Sequence, residues 1–397
     1  MCDTLCAVGH DHSVFAKNSD RPPTEVQLVA AHPRRSGVGT LDTQYLEIPE
    51  RGAVATVLAR PTWLWGAEHG VNEHRVAIGN ERISTKLDAA TLPDGLIGMD
   101  LVRLGLERSR TADEALDVMT GLLGECGQGG AADPHGEAYF SSFLIVDPTS
   151  AWVLETAGTT WAAEGVAGSR AISNQISLRR DWTRGSDDLV AGADFEAWSD
   201  RIDSSGAGRR LAASCAFLGA HDPDQLAPRQ VVAHLRDHGH GPWGLPGGVS
   251  VPEPPPAELR PDFTGISVCM HVHEYMTTTS SMVARLPADP EAPARAWVAA
   301  GSPCVSVYVP LFPDATDTAG AFPGALADEA LWQHSAQLRN RVERHPEAIG
   351  TIRAVLDPIE AELWEEADDL VGRPGRWAAA AAEWGRRVTD AAIRLSL

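Results

Sequence analysis

Nowhere does this sequence approach the roughly 18–20 consecutive apolar residues that a helix needs to cross a bilayer, so no membrane-spanning helix is expected. A basic N-terminal region followed by an apolar stretch is also missing, and no secretory signal is expected. Cysteine is sparse: Cys2, Cys6, Cys126, Cys215, Cys269 and Cys304 stand without CxxC spacing, which points to reduced thiols in a cytoplasmic protein. Positive charge is short as well. With 33 Lys and Arg against 54 Asp and Glu, the net charge of −21 repels nucleic acid and anionic membranes. A small-molecule or peptide partner fits better, and a homo-oligomer is left open. P-loop, HExxH and GxSxG patterns are absent. The letters GxGxxG occur once, at Gly239–Gly244, but they follow a helical pattern and lead into a proline-rich loop. They read as loop, and no cofactor is expected. There is no internal repeat.

What is present suits a globular chain: 43% hydrophobic and 22% charged residues over 397 positions, enough for one large or two ordinary domains. Short β-like runs cover 2–8, 14–20, 25–31, 44–48, 53–59 and 75–78, the last ending in the polar group Gly79-Asn80-Glu81. A turn is expected over 70–74. Met99, Val102 and Leu106 share one face of a helix over 96–109. Thr111-Ala-Asp-Glu114 is a capping box opening the next helix. Runs 140–146 and 151–155 form a hairpin around Asp147-Pro148, and further strands are expected at 161–163 and 171–177. Residues 195–238 read as mostly helical and 241–256 as loop. Strands resume at 265–272, 280–286, 296–300 and 305–309. From 325 onward the chain is helical, with breaks at Pro346 and Pro374. Blocks of strands followed by blocks of helices favour an α+β arrangement of stacked sheets over a βαβ fold. The expected division is a domain over 1–315 and a helical C-terminal extension over 316–397 packed on it.

The chemistry concentrates at the start. Removal of Met1 would leave Cys2 with a thiol and an α-amine on one residue, and an α-amine of pKa about 7.7–8.0 is partly unprotonated at neutral pH. Nucleophile and base are then the same residue. Runs 2–8 and 14–20 flank Gly9-His10-Asp11-His12-Ser13 as a hairpin. With the loop centred on Asp11, Cys2 faces Asp20 and Cys6 faces Ala16, which favours Cys2. A loop one residue shorter puts Ser19 opposite Cys2 and removes that argument. Asn18, Asp20, Asn80 and Asn174 each read alone as turn residues or satisfied core amides. Together with Cys2 they supply what amide hydrolysis needs: a nucleophile, a proton carrier and donors to an oxyanion. Cys269-Met270-His271-Val272-His273 is a rival, metal-like cluster. Three donors along one extended strand converge poorly on an ion and no fourth has a suggestive spacing, so a structural or substrate-facing role is preferred and no metal is expected.

The segments Cys2-Asp-Thr-Leu5, Phe15-Ala-Lys-Asn-Ser-Asp-Arg-Pro22, Arg60-Pro-Thr-Trp-Leu-Trp-Gly-Ala-Glu68, Gly70-Val-Asn-Glu-His74 and Ile78-Gly-Asn-Glu81 resemble the secernins and the related dipeptidase A family of cysteine peptidases. Gly98–Arg108 and Ala151–Thr156 extend the match, which is dense over about residues 1–180 and looser beyond, where Cys269-Met-His271, Ser281-Met-Val283 and Gly301-Ser-Pro-Cys304 carry it. The resemblance implies an N-terminal-nucleophile hydrolase fold, an αββα sandwich, with Cys2 as nucleophile. In the wider superfamily of penicillin V acylase and bile salt hydrolase an Arg-Asn-x-Asp segment flanks the cysteine. Here it reads Lys17-Asn18-Ser19-Asp20, with lysine in the basic position. By that match Asp20 holds the α-amine, Asn174 donates to the oxyanion and Asn80 is a second donor. Arg285 is the one candidate for the acylases' distal arginine. The implied activity is a cysteine dipeptidase or amidohydrolase acting on short peptides or related amides. The alternatives are Cys6 as nucleophile after loss of a longer propeptide, and a non-hydrolytic, secernin-like protein with a modified N-terminus or a binding role.

Overall fold

A computed structural model describes residues 1–200, 206–239, 266–272, 275–315 and 322–396. Among these, two antiparallel sheets lie face to face. The first runs, in spatial order, Ser169–Ile172, Cys2–Val8, His12–Arg21, Met276–Pro287, Arg295–Ala300 and Val309–Leu311, with His271–Val272 beside the long central strand. The second runs Arg184–Gly185, Thr160–Gly165, Ala151–Ala157, Phe140–Val146, Ala77–Ile83, His69–Asn72, Thr56–Pro61 and Gln27–His32.

Strand periodicity decides which layer each side chain enters. In the second sheet, Ala77, Leu144 and Val153 join the core shared with the first sheet, whereas Ile78, Phe143, Ile145 and Leu154 point the other way. There they meet Leu101, Leu104 and Met119 of helices Gly98–Glu107 and Ala112–Cys126. Thr111 caps the second of these by accepting from Glu114 N at 3.1 Å. On the outer face of the first sheet lie helices Ala207–Gly219 and Pro228–Leu235 and the three C-terminal helices Glu329–Arg344, Ala348–Asp369 and Trp377–Ser396. The result is the four-layer αββα sandwich. No described helix is long and apolar enough to cross a membrane.

Helices and the second hairpin lie close to their expected places, but several local expectations need correction. The first hairpin is one residue tighter: Gly9 N–H donates to His12 O at 3.0 Å, so the loop closes on His10 and Asp11, and Cys2 faces Ser19. Asp224 fixes this short loop by accepting from His10 N at 2.6 Å. The turn expected over 70–74 is strand as far as Asn72, and Asn72 Oδ1 then closes a turn by accepting from His74 N and Val76 N, both at 2.9 Å. The next strand does not end at Ile78 but continues through Gly79-Asn80-Glu81 to Ile83. The strand expected over 171–177 ends at Ile172, which leaves Asn174 beyond it. Instead of a strand over 305–309 there is a 3-10 turn at Pro303–Val305 and a strand from Val309. Most of the GxGxxG segment, the loop over 241–256, Gly265 and His273 lie outside the described residues.

Candidate active site

Cys2 opens the first strand, and antiparallel pairing brings both its neighbours. Thr4 pairs with Ile172 on the edge strand, so two residues further on Asn174 arrives beside Cys2. Asn174 Oδ1 accepts from Cys2 N at 2.8 Å, taking the place of the next ladder bond, while its Nδ2 donates to Arg82 O at 2.9 Å on the other sheet. On the other side of Cys2, Asp20 N–H points at Sγ at 3.4 Å, and Glu68 Oε2 lies 3.9 Å from the sulfur. The α-amine of Met1 donates to Asp20 O at 2.9 Å. Burial pushes the Cys2 thiol up to about 12, and the Lys17 ammonium only partly offsets it.

The two faces of the hairpin carry different charge networks. Facing the second sheet, Lys17 Nζ donates to Asn80 O at 2.6 Å and lies 3.5 Å from Glu81 Oε1, with both side chains fully buried. Thr4 Oγ1 donates to the same Glu81 oxygen. Burial raises Glu81 to about 8, against the pull of Lys17. Lys17 is shifted upward on balance: burial disfavours its charge, but Cys2, Glu81 and Glu68 outweigh that. The crossing of Lys17 between the sheets requires glycine at 79, where a Cβ would sit 2.7 Å from Lys17 Cδ and 3.1 Å from Phe15 Cζ.

On the opposite face the wholly buried Arg210, from helix Ala207–Gly219, ties the N-terminal strand to its surroundings. It donates to Cys2 O at 3.0 Å, to Asn174 Oδ1 at 2.6 Å and to the Asp3 carboxylate, and it lies 3.8 Å from Asp20 Oδ2. Thr278 Oγ1 donates to the other Asp20 oxygen at 2.7 Å. Burial raises the Asp20 carboxyl, with Arg210 opposing.

Cys2 lies on the floor of a cavity of about 800 Å³. Its walls come from Arg21-Pro22-Pro23-Thr24, Glu68, Arg82, the 133–139 loop, and Arg339, Asn340, Glu343 and Arg344 of the first C-terminal helix. Glu68 is held by Arg21 Nη1 at 3.2 Å through Oε1, and its Oε2 faces both Cys2 and Asn80. The Asn80 amide satisfies both ends with its nitrogen toward Glu68, 2.9 Å from the carbonyl oxygen and 3.1 Å from Oε2. Such a volume takes a small ligand.

The structure therefore gathers Cys2, Asp20, Lys17, Asn80 and Asn174 around one point. Asp20 meets Cys2 through its main chain, with its carboxylate turned to Thr278 and Arg210. Asn18 points away and clamps the helical layer by donating to Leu235 O at 2.9 Å and Val268 O at 2.8 Å. Arg285 pairs with Val14 near the closed end of the hairpin, at the opposite end from Cys2. Cys6 faces Phe15, is wholly buried and does not line the cavity. Arg210, Glu68, Arg21 and Thr278 were missed by sequence reasoning. Nothing local distinguishes Arg210 from Arg209 next to it, although Glu68 and Arg21 stood inside motifs singled out above.

No protein-family model matches the chain. Among solved structures, the chain is similar to the C2A mutant of conjugated bile acid hydrolase from Clostridium perfringens, at 11% identity and a TM-score of 0.45, covering 75% of this chain and 88% of that one. Penicillin V acylase from Agrobacterium tumefaciens has 11% identity and a TM-score of 0.44, covering 79% and 86%. The Caenorhabditis elegans ortholog of N-acylethanolamine-hydrolyzing acid amidase has 10% identity and a TM-score of 0.37, covering 71% and 92%.

Proposed function

We propose that this chain is a cysteine amidohydrolase, of the dipeptidase type, whose nucleophile is Cys2 and whose base is the α-amine that removal of Met1 gives that residue. One observation carries the reading: sulfur and nitrogen of the same residue are both held at a ligand-sized cavity, the sulfur by Asp20 N–H and the nitrogen by Asn174 Oδ1. In this scheme Sγ attacks the amide carbon and the thiol proton passes to the neutral α-amine. The C–N bond then breaks, the amine leaves with that proton, and an acyl thioester remains. Water attacks the thioester with the α-amine again as base, which releases the acid and restores the thiol. Asn174 acts here as the group that orients the amine through its oxygen, and Glu68 and Lys17 set the charge around the sulfur.

Short peptides fit the lining. Both signs of charge line the cavity, with Arg344 and Asp133 beside the pairs Arg21–Glu68, Arg82–Glu137 and Arg339–Glu343, a polar lining that suits a small zwitterion. A cytoplasmic location, a small peptide or amide substrate and no nucleic-acid partner belong to the same proposal.

The chain as written favours a second reading only if Met1 stays. Its α-amine then occupies the floor of the cavity on Asp20 O, and a binding role follows. Mass spectrometry of the intact N-terminus separates the two, since hydrolysis requires loss of Met1. Hydrolysis of a dipeptide panel should fall by on the order of 10⁴-fold or more in Cys2→Ala with Tm retained. Turnover unchanged in that variant would overturn the reading.

A further inference from the structure

Cys269 and His271 stand two residues apart at the start of the segment that pairs with Met276–Pro287, and their side chains turn to one side. Cys304 comes from the 3-10 turn Pro303–Val305, and His238 follows the helix Pro228–Leu235. One donor atom from each of these four residues lies within 4.8 Å of every other. His271 Nε2 is 3.2 Å from Cys304 Sγ and 3.5 Å from Cys269 Sγ. Bond lengths of about 2.3 Å to sulfur and 2.0–2.1 Å to nitrogen around a tetrahedral zinc separate ligand atoms by about 3.3–3.8 Å. The two separations are close to that range before any ion draws the groups together.

The surroundings are those of a ligand set. His271 Nδ1 lies 3.1 Å from Glu343 Oε1, so in the neutral tautomer it donates to the carboxylate and leaves Nε2 as a lone-pair donor toward the sulfurs. The backbone on both sides is held: Cys269 N donates to Asp237 O at 3.0 Å, and Arg236 Nε donates to Pro303 O at 2.9 Å. Four isolated thiols and imidazoles packed for bulk alone would not need a carboxylate behind one ring. The sequence argument against a metal required every donor to come from one strand. The strand expected over 265–272 is strand only at His271–Val272 among the described residues, so the fold takes Cys269 from the bend before it and His271 from the strand, and brings the others from distant segments.

We propose that His238, Cys269, His271 and Cys304 bind one divalent metal ion of the zinc class in a closed tetrahedral site. Two sulfurs and two imidazole nitrogens are the donor set of structural zinc, and four protein ligands leave no position for substrate. The role is bracing. Met270, between two ligands, donates its N–H to Thr278 Oγ1 at 3.0 Å, and that hydroxyl in turn donates to Asp20. Glu343 belongs to the helix that walls the cavity. The ion would thus fix both the strand that positions Asp20 and one wall of the substrate site.

The test uses the full chain purified without chelator or polyhistidine tag. Elemental analysis should find about one zinc per chain, and exchange with Co²⁺ should produce tetrahedral d–d bands with a thiolate charge-transfer band. Glu343→Gln should weaken Co²⁺ affinity by about 10–100-fold, as loss of a carboxylate behind a ligating histidine does. Cys304→Ser should weaken it further and reduce the charge-transfer intensity. If Cys304→Ser fails to fold, the wild-type Co²⁺ titration still decides. A wild-type chain that carries no metal and gives no thiolate band with Co²⁺ overturns the proposal. So does a mass two hydrogens short that maps to a Cys269–Cys304 disulfide.

Discussion

Arg210 spans more of the site than any residue named from the sequence, because one guanidinium reaches Cys2 O, Asn174, Asp3 and Asp20 together. Removing it leaves two buried carboxylates without their cation. Arg210→Met should therefore destabilise the fold by about 3–5 kcal/mol, read as a shift in the denaturant midpoint. Arg210→Lys should recover only part, since an ammonium cannot make the same fork of hydrogen bonds. Glu81 gives a second residue-scale expectation. Its pKa is raised by burial from 4.5 to about 8, so the native state holds its proton where the unfolded chain has lost it. That contribution is fully present below about pH 4.5 and is lost as pH climbs through 8. Tm measured against pH should fall across that window, and Glu81→Gln should flatten the slope. An unchanged slope would place the titration elsewhere.

At the scale of elements, the site depends on how closely two sheets approach. Gly79 lies in the second sheet directly against Lys17, Phe15 and Thr4 of the first. A methyl group there meets Lys17 in its middle, not at a free tip, because Nζ is bound to Asn80 O. Gly79→Ala should cost about 1–3 kcal/mol, as overpacking does, and displace the lysine. Equilibrium unfolding would reveal it, and a neutral result would mean that the sheets have slack at this point. The sequence also showed its limits at this scale. Alternation made the hairpin over 2–20 legible, but its register rests on one residue of loop length. Asp224, far along the chain, accepts from His10 in that loop, and pairing of the second strand with Met276–Pro287 adds another distant partner, so the face each residue occupies was not readable from residues 1–20 alone. Asn174 is similar: the sequence named it as a candidate polar residue, but not that it would lie beside Cys2. The pairing of Thr4 with Ile172 supplies the physical reason.

For the whole molecule, the C-terminal helices are joined to the sheets by polar and apolar contacts alike. Trp332 Nε1 donates to Thr279 O at 3.0 Å, Trp364 Nε1 to Tyr308 O at 2.9 Å, and Arg236 pairs with Glu360. Leu331, Leu338, Leu363 and Trp384 belong to the same core cluster as Leu5 and Met282. Far-UV CD and tryptophan fluorescence should therefore report one coincident unfolding transition. Two separated transitions would make the helices beyond residue 316 an independent unit.

Composition and pattern by themselves determined the class of molecule: acidic, globular, strands in blocks followed by helices, with a nucleophilic residue at position 2. Those properties follow from local chemistry and from period-2 and period-3.6 spacing, which a sequence carries directly. Which side chains meet was decided only by tertiary structure. Arg210 and Asp3, Lys17 and Glu81, and Cys304 and His271 are pairs distant in sequence. They are brought together by sheet stacking and helix docking, and no spacing rule along the chain encodes that distance.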